Sequence, residues 1–345
     1  MMDANTVYFT PWAQGQNMMD KAGQLYEECG LFDMVEPGDK VAVKLHAGEL
    51  GNPNYVRPFF LKQIVDEVKK RGAKPFLTDT TTYYPLRRNN AVDHMETAVA
   101  NGFGFAPFMV ADGLMSENGM RVDSPDPLLS EVEVAGAIHQ ADAMIVVSHL
   151  KGHPLGGFGG AIKNLGMGCV TKKCKLEQHR LIDLLIHDDK CAGCGTCIEA
   201  CWFNLPYLEN EVVVIDSPYC MRCPICSSAC PEGAITLENR ERLAQGLAVA
   251  AKGVVDTFSP GKVSYVNFAT DVSTVCDCAP IPGEMMGQNI GIFASSSPLS
   301  IDAAGLDNID YQRLNSLHCQ DCQEQVRKLA ELKEPGSLQP ETVTV

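Results

Sequence analysis

The sequence predicts an α/β protein, a mainly parallel sheet with helices on both faces, interrupted once by a small cysteine-rich insertion. Three observations carry this. Short all-apolar runs alternate with helix-period segments from the start to about residue 150, the pattern of βαβ units. The same alternation returns after residue 240. Between them, eight of the 15 cysteines crowd into residues 191–230.

Taken in order, "VYFT" reads as a strand and "QNMMDKAGQLYEECGLF" as a helix; "KVAVKLH" and "YVRPFFLKQIVDEVKKRG" repeat the pair, as do "KPFLTD" and "NNAVDHMETAVANGF". "EVEVAGAIHQ" then leads into "DAMIVVSHL". Continuous apolar strands of this kind are buried on both faces. After the insertion come the helix "NRERLAQGLAVAAKGVVDTF", the strands "KVSYVNFAT" and "NIGIFASS", and the helix "SIDAAGLDNI". "KEPGSLQPETVTV" reads as a loose tail. The expected organisation is an α/β domain in two parts, residues 1–185 and 241–335, an insertion at 186–240 and a tail at 336–345.

At 345 residues the chain is long enough to bury a sizeable core. No stretch approaches the roughly 20 apolar residues of a membrane span, and the acidic start lacks an apolar signal core, so the expectation is a cytoplasmic protein with no membrane partner. A net charge of −15 argues against nonspecific nucleic-acid binding, which needs clustered Lys and Arg. It suits docking on the basic patch of a redox partner protein. In a reducing compartment, closely spaced cysteines point to metal ligands rather than disulfides.

The insertion carries "CAGCGTCIEAC" (Cys191, Cys194, Cys197, Cys201) and "CMRCPICSSACP" (Cys220, Cys223, Cys226, Cys230). Each is C-x2-C-x2-C-x3-C, the run of bacterial ferredoxins, whose fourth cysteine ligates the other cluster. Zinc knuckles use two pairs set well apart. The expected cofactors are two 4Fe-4S clusters, one on Cys191, Cys194, Cys197 and Cys230, the other on Cys220, Cys223, Cys226 and Cys201. "LENEVVVID" resembles the hairpin between the half-motifs of a small α+β ferredoxin-like unit, and "GAITLE" its closing strand. Trp202 stands where a proline is usual, which bears on the cluster's solvent exposure. Such a unit conducts single electrons and selects no substrate, so any chemistry belongs to the α/β part.

Before the insertion, "SHLKGHPLGGFGGAIKNLGMGC" places four glycines between a strand and a helix, flanked by His149, His153, Lys163 and, further on, His179. Such a loop either turns free N–H groups toward an anion or allows close packing. Its spacing matches no dinucleotide or P-loop fingerprint. This run, with "VNFATDVSTVCDCAP" and "NIGIFASSSPLSIDAAGLDNI", resembles the iron-sulfur family catalogued as domain of unknown function 362, over roughly residues 40–315. The resemblance implies an α/β domain with inserted ferredoxin clusters and no agreed reaction. "HCQDC", residues 318–322, departs from it.

Seven cysteines remain. Cys29 sits on a helix beside Leu25 and Phe32 and reads as a buried inert thiol. The other six pair closely, and a third metal site, 4Fe-4S or Zn, is expected from Cys276 and Cys278 with Cys319 and Cys322, or with Cys169 or Cys174 and a nitrogen from His153 or His179. Ordinary reduced thiols are the alternative. His46 and Asp79, with Lys44 and Glu49 nearby, end strands, where open α/β sheets bind ligands; hydrogen-bonded strand-end roles are the plainer reading. Asp302 reads as a helix cap. The function expected is transfer of single electrons through the clusters to or from a site in the α/β domain, an oxidoreductase acting on a small-molecule substrate, with Lys163 and His153 as candidate catalytic residues. The alternative is a carrier or metal-handling protein whose α/β domain docks a partner.

Overall fold

Eight strands form one sheet in a computed structural model that describes residues 2–345. They are β1 (Thr6–Pro11), β2 (Lys40–Lys44), β3 (Lys74–Asp79), β4 (Phe108–Val110), β5 (Ala143–His149), β6 (Val263–Ala269), β7 (Gly291–Ser295) and β8 (Glu341–Thr344). Their order is β8-β1-β7-β6-β5-β2-β3-β4. Strands β6, β5, β2, β3 and β4 run parallel, while β7 is antiparallel to both neighbours. The sheet is therefore the mainly parallel one the sequence predicts.

Alternation along the strands divides the core. Val41, Val43, Ile145 and Val147 join one apolar layer with helices α1 (Met18–Glu28), α2 (Pro58–Lys70) and α3 (Ala91–Ala100). Ala42, Met144, Val146 and Tyr265 face the other, with α4 (Ala161–Gly166), α5 (Lys172–His179), α6 (Glu241–Val255) and α7 (Pro298–Asp307). Successive residues of a strand point to opposite faces, so one apolar run serves two layers. Local signals set the helix starts: Asn17, Asn90 and Ser297 cap α1, α3 and α7 with side-chain oxygens, and prolines occupy the first turns of α2 and α7.

Helix α4 packs against α6 at backbone distance. A Cβ on Gly166 would stand 2.1 Å from the Leu247 carbonyl oxygen. Gly166→Ala gains about 0.5–1 kcal/mol of helix propensity but forces two helices apart, at about 1–3 kcal/mol or more. Net destabilisation is expected, read as a lower denaturant midpoint; an unchanged midpoint contradicts the close packing.

Two boundaries differ from expectation. Residues 341–344 are not a loose tail: they pair parallel with β1, and Val345 N–H donates to the Phe9 carbonyl at 2.8 Å. Their side chains are all exposed, Val343 included, so the pairing is carried by backbone hydrogen bonds. The inserted unit also starts earlier than residue 186, because Asp183–Ile186 pairs antiparallel with Ile235–Glu238. The strands Tyr207–Glu209 and Val212–Val214 form the expected hairpin.

Candidate redox site at the strand ends

The carboxyl ends of β2, β3, β5 and β6 lie along one edge of the sheet, the edge at which open α/β sheets bind ligands. Residues that follow those strands converge there. They line a cavity of about 260 Å³ together with α4, α5 and the inserted unit.

Buried ion pairs fix the floor. Lys44 Nζ lies 3.0 Å from Asp79 Oδ1, and Arg88 bridges Glu49 at 3.2 Å and Asp79 at 3.4 Å. Burial alone would raise the Asp79 carboxyl, but Lys44, His94 and Arg88 hold it well below the usual carboxylate range. His46 is kept neutral by burial and by Arg88, and its Nδ1 accepts the Gly48 N–H. His46 and Asp79 thus have hydrogen-bonded strand-end partners and also border the cavity. Arg88 also donates to the Tyr84 hydroxyl, which donates to the Cys278 carbonyl, tying this network to the loop after β6.

That loop carries the expected cysteine pair. Cys276 is buried, Cys278 half-buried, and a 3.0 Å hydrogen bond from Ala279 N–H to the Cys276 carbonyl closes a turn around them. Asp277 pairs with two cavity residues, its Oδ1 2.9 Å from His149 Nδ1 and its Oδ2 2.9 Å from Lys151 Nζ. Despite full burial, those two neighbours hold its carboxyl well below the usual range. Lys163 Nζ donates to Cys276 Sγ at 3.7 Å. The bond from Cys278, and then Lys163 and Lys151, overcome burial and push the Cys276 thiol well below its ordinary value, while the same shared bond and burial push Cys278 well above it.

Neither expected set of partner cysteines, Cys319 with Cys322 or Cys169 or Cys174, joins the pair, while the expected nitrogen of His153 does. Among the described residues, the donor group that gathers within 4.8 Å is His153, Cys276 and Cys278. Cys169 and Cys174 are buried in the core layer beneath the sheet, with bonds to Asn164 and Gln178 of adjoining turns. Cys319 is exposed at the end of a short helix, and Cys322 packs against Gly157 on the far side of the glycine hairpin. Core packing and chain direction, which spacing does not encode, keep these four apart from the pair. His179 lines the cavity, but its Nδ1 is committed to the Met221 carbonyl at 3.0 Å.

The glycine-rich stretch is a hairpin, Lys151–His153 paired with Gly157–Gly159, leading into α4. Four of its N–H groups are taken up by side chains of the protein. Leu155 and Gly156 donate to His153 Nδ1 at 3.3 and 2.9 Å, and Ala161 and Ile162 donate to the two oxygens of Asp302. Gly160 is needed here, since a Cβ would stand 2.4 Å from Asp302 Oδ1. Close packing, not an anion cradle, is the use of these glycines. Asp302 is a cap as expected, though for α4 rather than for its own helix, whose cap is Ser297. Lys175, a cavity residue the sequence does not single out, donates to Thr80 and the Val170 carbonyl; burial pushes its amine down to about 8.

The eight motif cysteines fall into two sets. Cys191, Cys194, Cys197 and Cys230 line a small cavity within the inserted unit, whereas Cys201, Cys220, Cys223 and Cys226 line the large one. No thiol of either set borders the other's space. Four convergent thiols on each fit an iron-sulfur cluster. Sequence reasoning misses Asp277, Lys151 and Arg88 as site residues because single charged residues in loops carry no diagnostic spacing.

The family model described as "Domain of unknown function (DUF362)" matches residues 41–307. Pyruvate synthase subunit PorD of Methanothermobacter marburgensis is 35% identical over 71 residues, 21% of this chain and 84% of that one. The formate dehydrogenase iron-sulfur subunit of Haemophilus influenzae is 36% identical over 62 residues, 16% of this chain and 20% of that one. One component of the H(2):CoB-CoM heterodisulfide,ferredoxin reductase of Methanothermobacter thermautotrophicus is 30% identical over 82 residues; the match spans 18% of this chain and only 12% of that relative. Among solved structures, the lactate racemase apoprotein of Thermoanaerobacterium thermosaccharolyticum aligns with a TM-score of 0.44 at 14% identity, over 85% of this chain and 54% of that one. The chain thus carries a ferredoxin-like iron-sulfur segment, and no helix among the described residues is long and apolar enough to cross a membrane.

Proposed function

The chain belongs to the DUF362 family, and from that premise we propose that it is an iron-sulfur oxidoreductase whose reacting centre is the cavity at the strand ends. Two 4Fe-4S clusters are held by the crossed sets, one on Cys191, Cys194, Cys197 and Cys230, the other on Cys220, Cys223, Cys226 and Cys201. Bound there, they supply single electrons at low potential.

One observation carries the reading. The cavity is lined both by Cys201, Cys220, Cys223 and Cys226 of the inserted unit and by His153, Lys163, Cys276 and Cys278 of the α/β domain. A carrier that only docks a partner has no use for such a space. Lys163, whose ammonium is bonded to Cys276, holds a negative group of a small substrate. His153 accepts two N–H bonds on Nδ1, so its proton sits on Nε2 and is offered to the cavity. A redox partner protein meets the inserted unit beside Cys194, which is exposed, and the chain's net charge of −15 favours a partner with a basic face. The protein acts in the cytoplasm.

Anaerobically purified protein is expected to hold about eight irons per chain, and Cys223→Ser about four, with one paramagnetic signal lost on reduction. Fewer than about eight in the wild type sinks the two-cluster assignment. Retention of all iron in the variant sinks the ligand set.

A further inference from the structure

The electron-transfer reading leaves the C-x-C pair without a task, and its surroundings specify one. We infer that Cys276 and Cys278 are a redox-active dithiol that exchanges with the disulfide bond of a small molecule entering the cavity.

Four features converge. The donor sulfurs of the two cysteines lie within 4.8 Å of each other. They sit across a turn closed by the Ala279 N–H bond to Cys276, a geometry that brings residues i and i+2 within the Cα range a disulfide spans. Cys276 Sγ accepts from the Lys163 ammonium at 3.7 Å and from its own turn, through Cys278 N–H at 3.5 Å. Both cysteines border the cavity. Thiolate is the attacking form in exchange, and here a buried amine and two hydrogen bonds favour it on Cys276 while its neighbour keeps the proton. Attacker and resolver are thereby distinguished.

A resident metal fits these atoms less well. A histidine ligand has one nitrogen on the metal and the other donating its N–H. His153 Nδ1 instead accepts from Leu155 and Gly156, which leaves the hydrogen on Nε2 and no free lone pair on the ring.

The exchange balances. The Cys276 thiolate attacks one sulfur of RS–SR, forming a mixed disulfide and expelling RS⁻. Cys278 then attacks Cys276 Sγ; the second R leaves as RSH with the proton Cys278 gives up, and the Cys276–Cys278 disulfide remains. One S–S bond forms in the protein as one breaks in the ligand, and two electrons pass to the ligand. Reopening requires two electrons and one proton, which a low-molecular-weight dithiol supplies in the assay.

The exchange needs no cluster, so it can fail or succeed independently of the electron-transfer reading. The folded, iron-loaded protein is incubated anaerobically with oxidised glutathione at graded ratios to its thiol, then unfolded and alkylated. The tryptic peptide ending at Arg313 starts after Lys262 and has Cys276 and Cys278 as its sole cysteines, so cluster ligands do not interfere. The expected wild-type product is that peptide unalkylated and two hydrogens lighter, reversed by dithiothreitol. Cys278→Ser should stop at one glutathionyl group on Cys276, and Cys29→Ser should behave as wild type. Wild type needs no variant to fold and gives a second readout, the pH profile of iodoacetamide labelling at Cys276. The groups facing it are Lys163, Lys151, Asp277, Cys278, His153 and, beyond Cys278, Arg88 and Tyr84. Labelling should fall less steeply with pH than that of an ordinary thiol, which slows about tenfold per unit below about 8.5. Lys163→Met should restore that slope. Two free thiols at every glutathione ratio, an ordinary labelling profile, or a metal ion beyond the cluster iron that is lost in Cys276→Ser would each overturn the inference. Iron counted on the same samples reports separately on the clusters.

Discussion

Replacing Asp277 by alanine is expected to lower stability by about 3–5 kcal/mol, because it strands two buried partners at once. Asp277 is fully buried, His149 is 1% exposed and Lys151 5%. Lys151 has its ion pair with Asp277 at 2.9 Å and no other carboxylate within bonding distance among the described residues. Both ring nitrogens of His149 face acceptors, Asp277 and the Thr270 carbonyl at 2.7 Å. Truncation leaves an ammonium without its anion in a site water does not solvate well. Asp277→Asn keeps the shape and one acceptor and should lose less. The sign of the pH dependence is fixed by the depressed carboxyl: its contribution is present above the unfolded value of about 3.9 and is lost only as pH falls toward the folded one. The carboxyl's own share of the difference between wild type and variant should therefore be constant from about pH 6 to 8. Anaerobic urea unfolding checks this through the midpoint at unchanged slope. A loss under about 1 kcal/mol means that Lys151 sheds its proton or reaches water, and that the pair is not the anchor of the cysteine turn.

What is legible in the sequence follows from which interactions are local. Runs such as "AMIVVSH" and "VSYVNFA" announce buried strands because every residue is packed. The edge strand 341–344 is invisible there because its energy lies in backbone bonds to β1 under exposed side chains. The site divides in the same way. Cysteine spacing names the eight thiols that border the two cavities and flags Cys276 with Cys278. It does not reach Lys151, which comes from the hairpin more than a hundred residues earlier, whereas Lys163 and His153 stand out only through the glycine-rich stretch that carries them. Cys169 and Cys174 resemble partners because a close pair looks the same in sequence whether it faces a ligand or a core; here it faces the core. Residue type marks Asp302 as a cap but does not say of which helix, because its donors at Ala161 and Ile162 are far off in sequence.

That displaced cap gives the second large effect, an Asp302→Asn variant whose cost should shrink as pH rises. Three donors converge on the carboxyl: Ala161 N–H and the Asn267 amide on Oδ1, each at 2.7 Å, and Ile162 N–H on Oδ2 at 2.8 Å. An asparagine has one acceptor oxygen for two oxygen positions, so its NH₂ must face a donor, at about 1–3 kcal/mol. Against this stands burial, which outweighs the three bonds and pushes the Asp302 carboxyl up to about 6. A folded value above the unfolded one means that the wild type binds more protons folded than unfolded. Its stability from this group is complete below about 3.9 and falls as pH rises through about 6, by about 3 kcal/mol in all. The amide has no such loss. Measured by anaerobic urea unfolding, the variant should be clearly the weaker at pH 5 and should approach or match wild type at pH 7.5. A gap that stays constant or widens means that the three donors prevail over burial and keep the carboxylate ionised throughout. The same variant reaches the cavity by a short route. Asp302 holds the first turn of α4, and Lys163 stands on that turn against Cys276. Loosening the cap should therefore steepen the labelling profile of Cys276 toward that of Lys163→Met, at a position that touches neither sulfur.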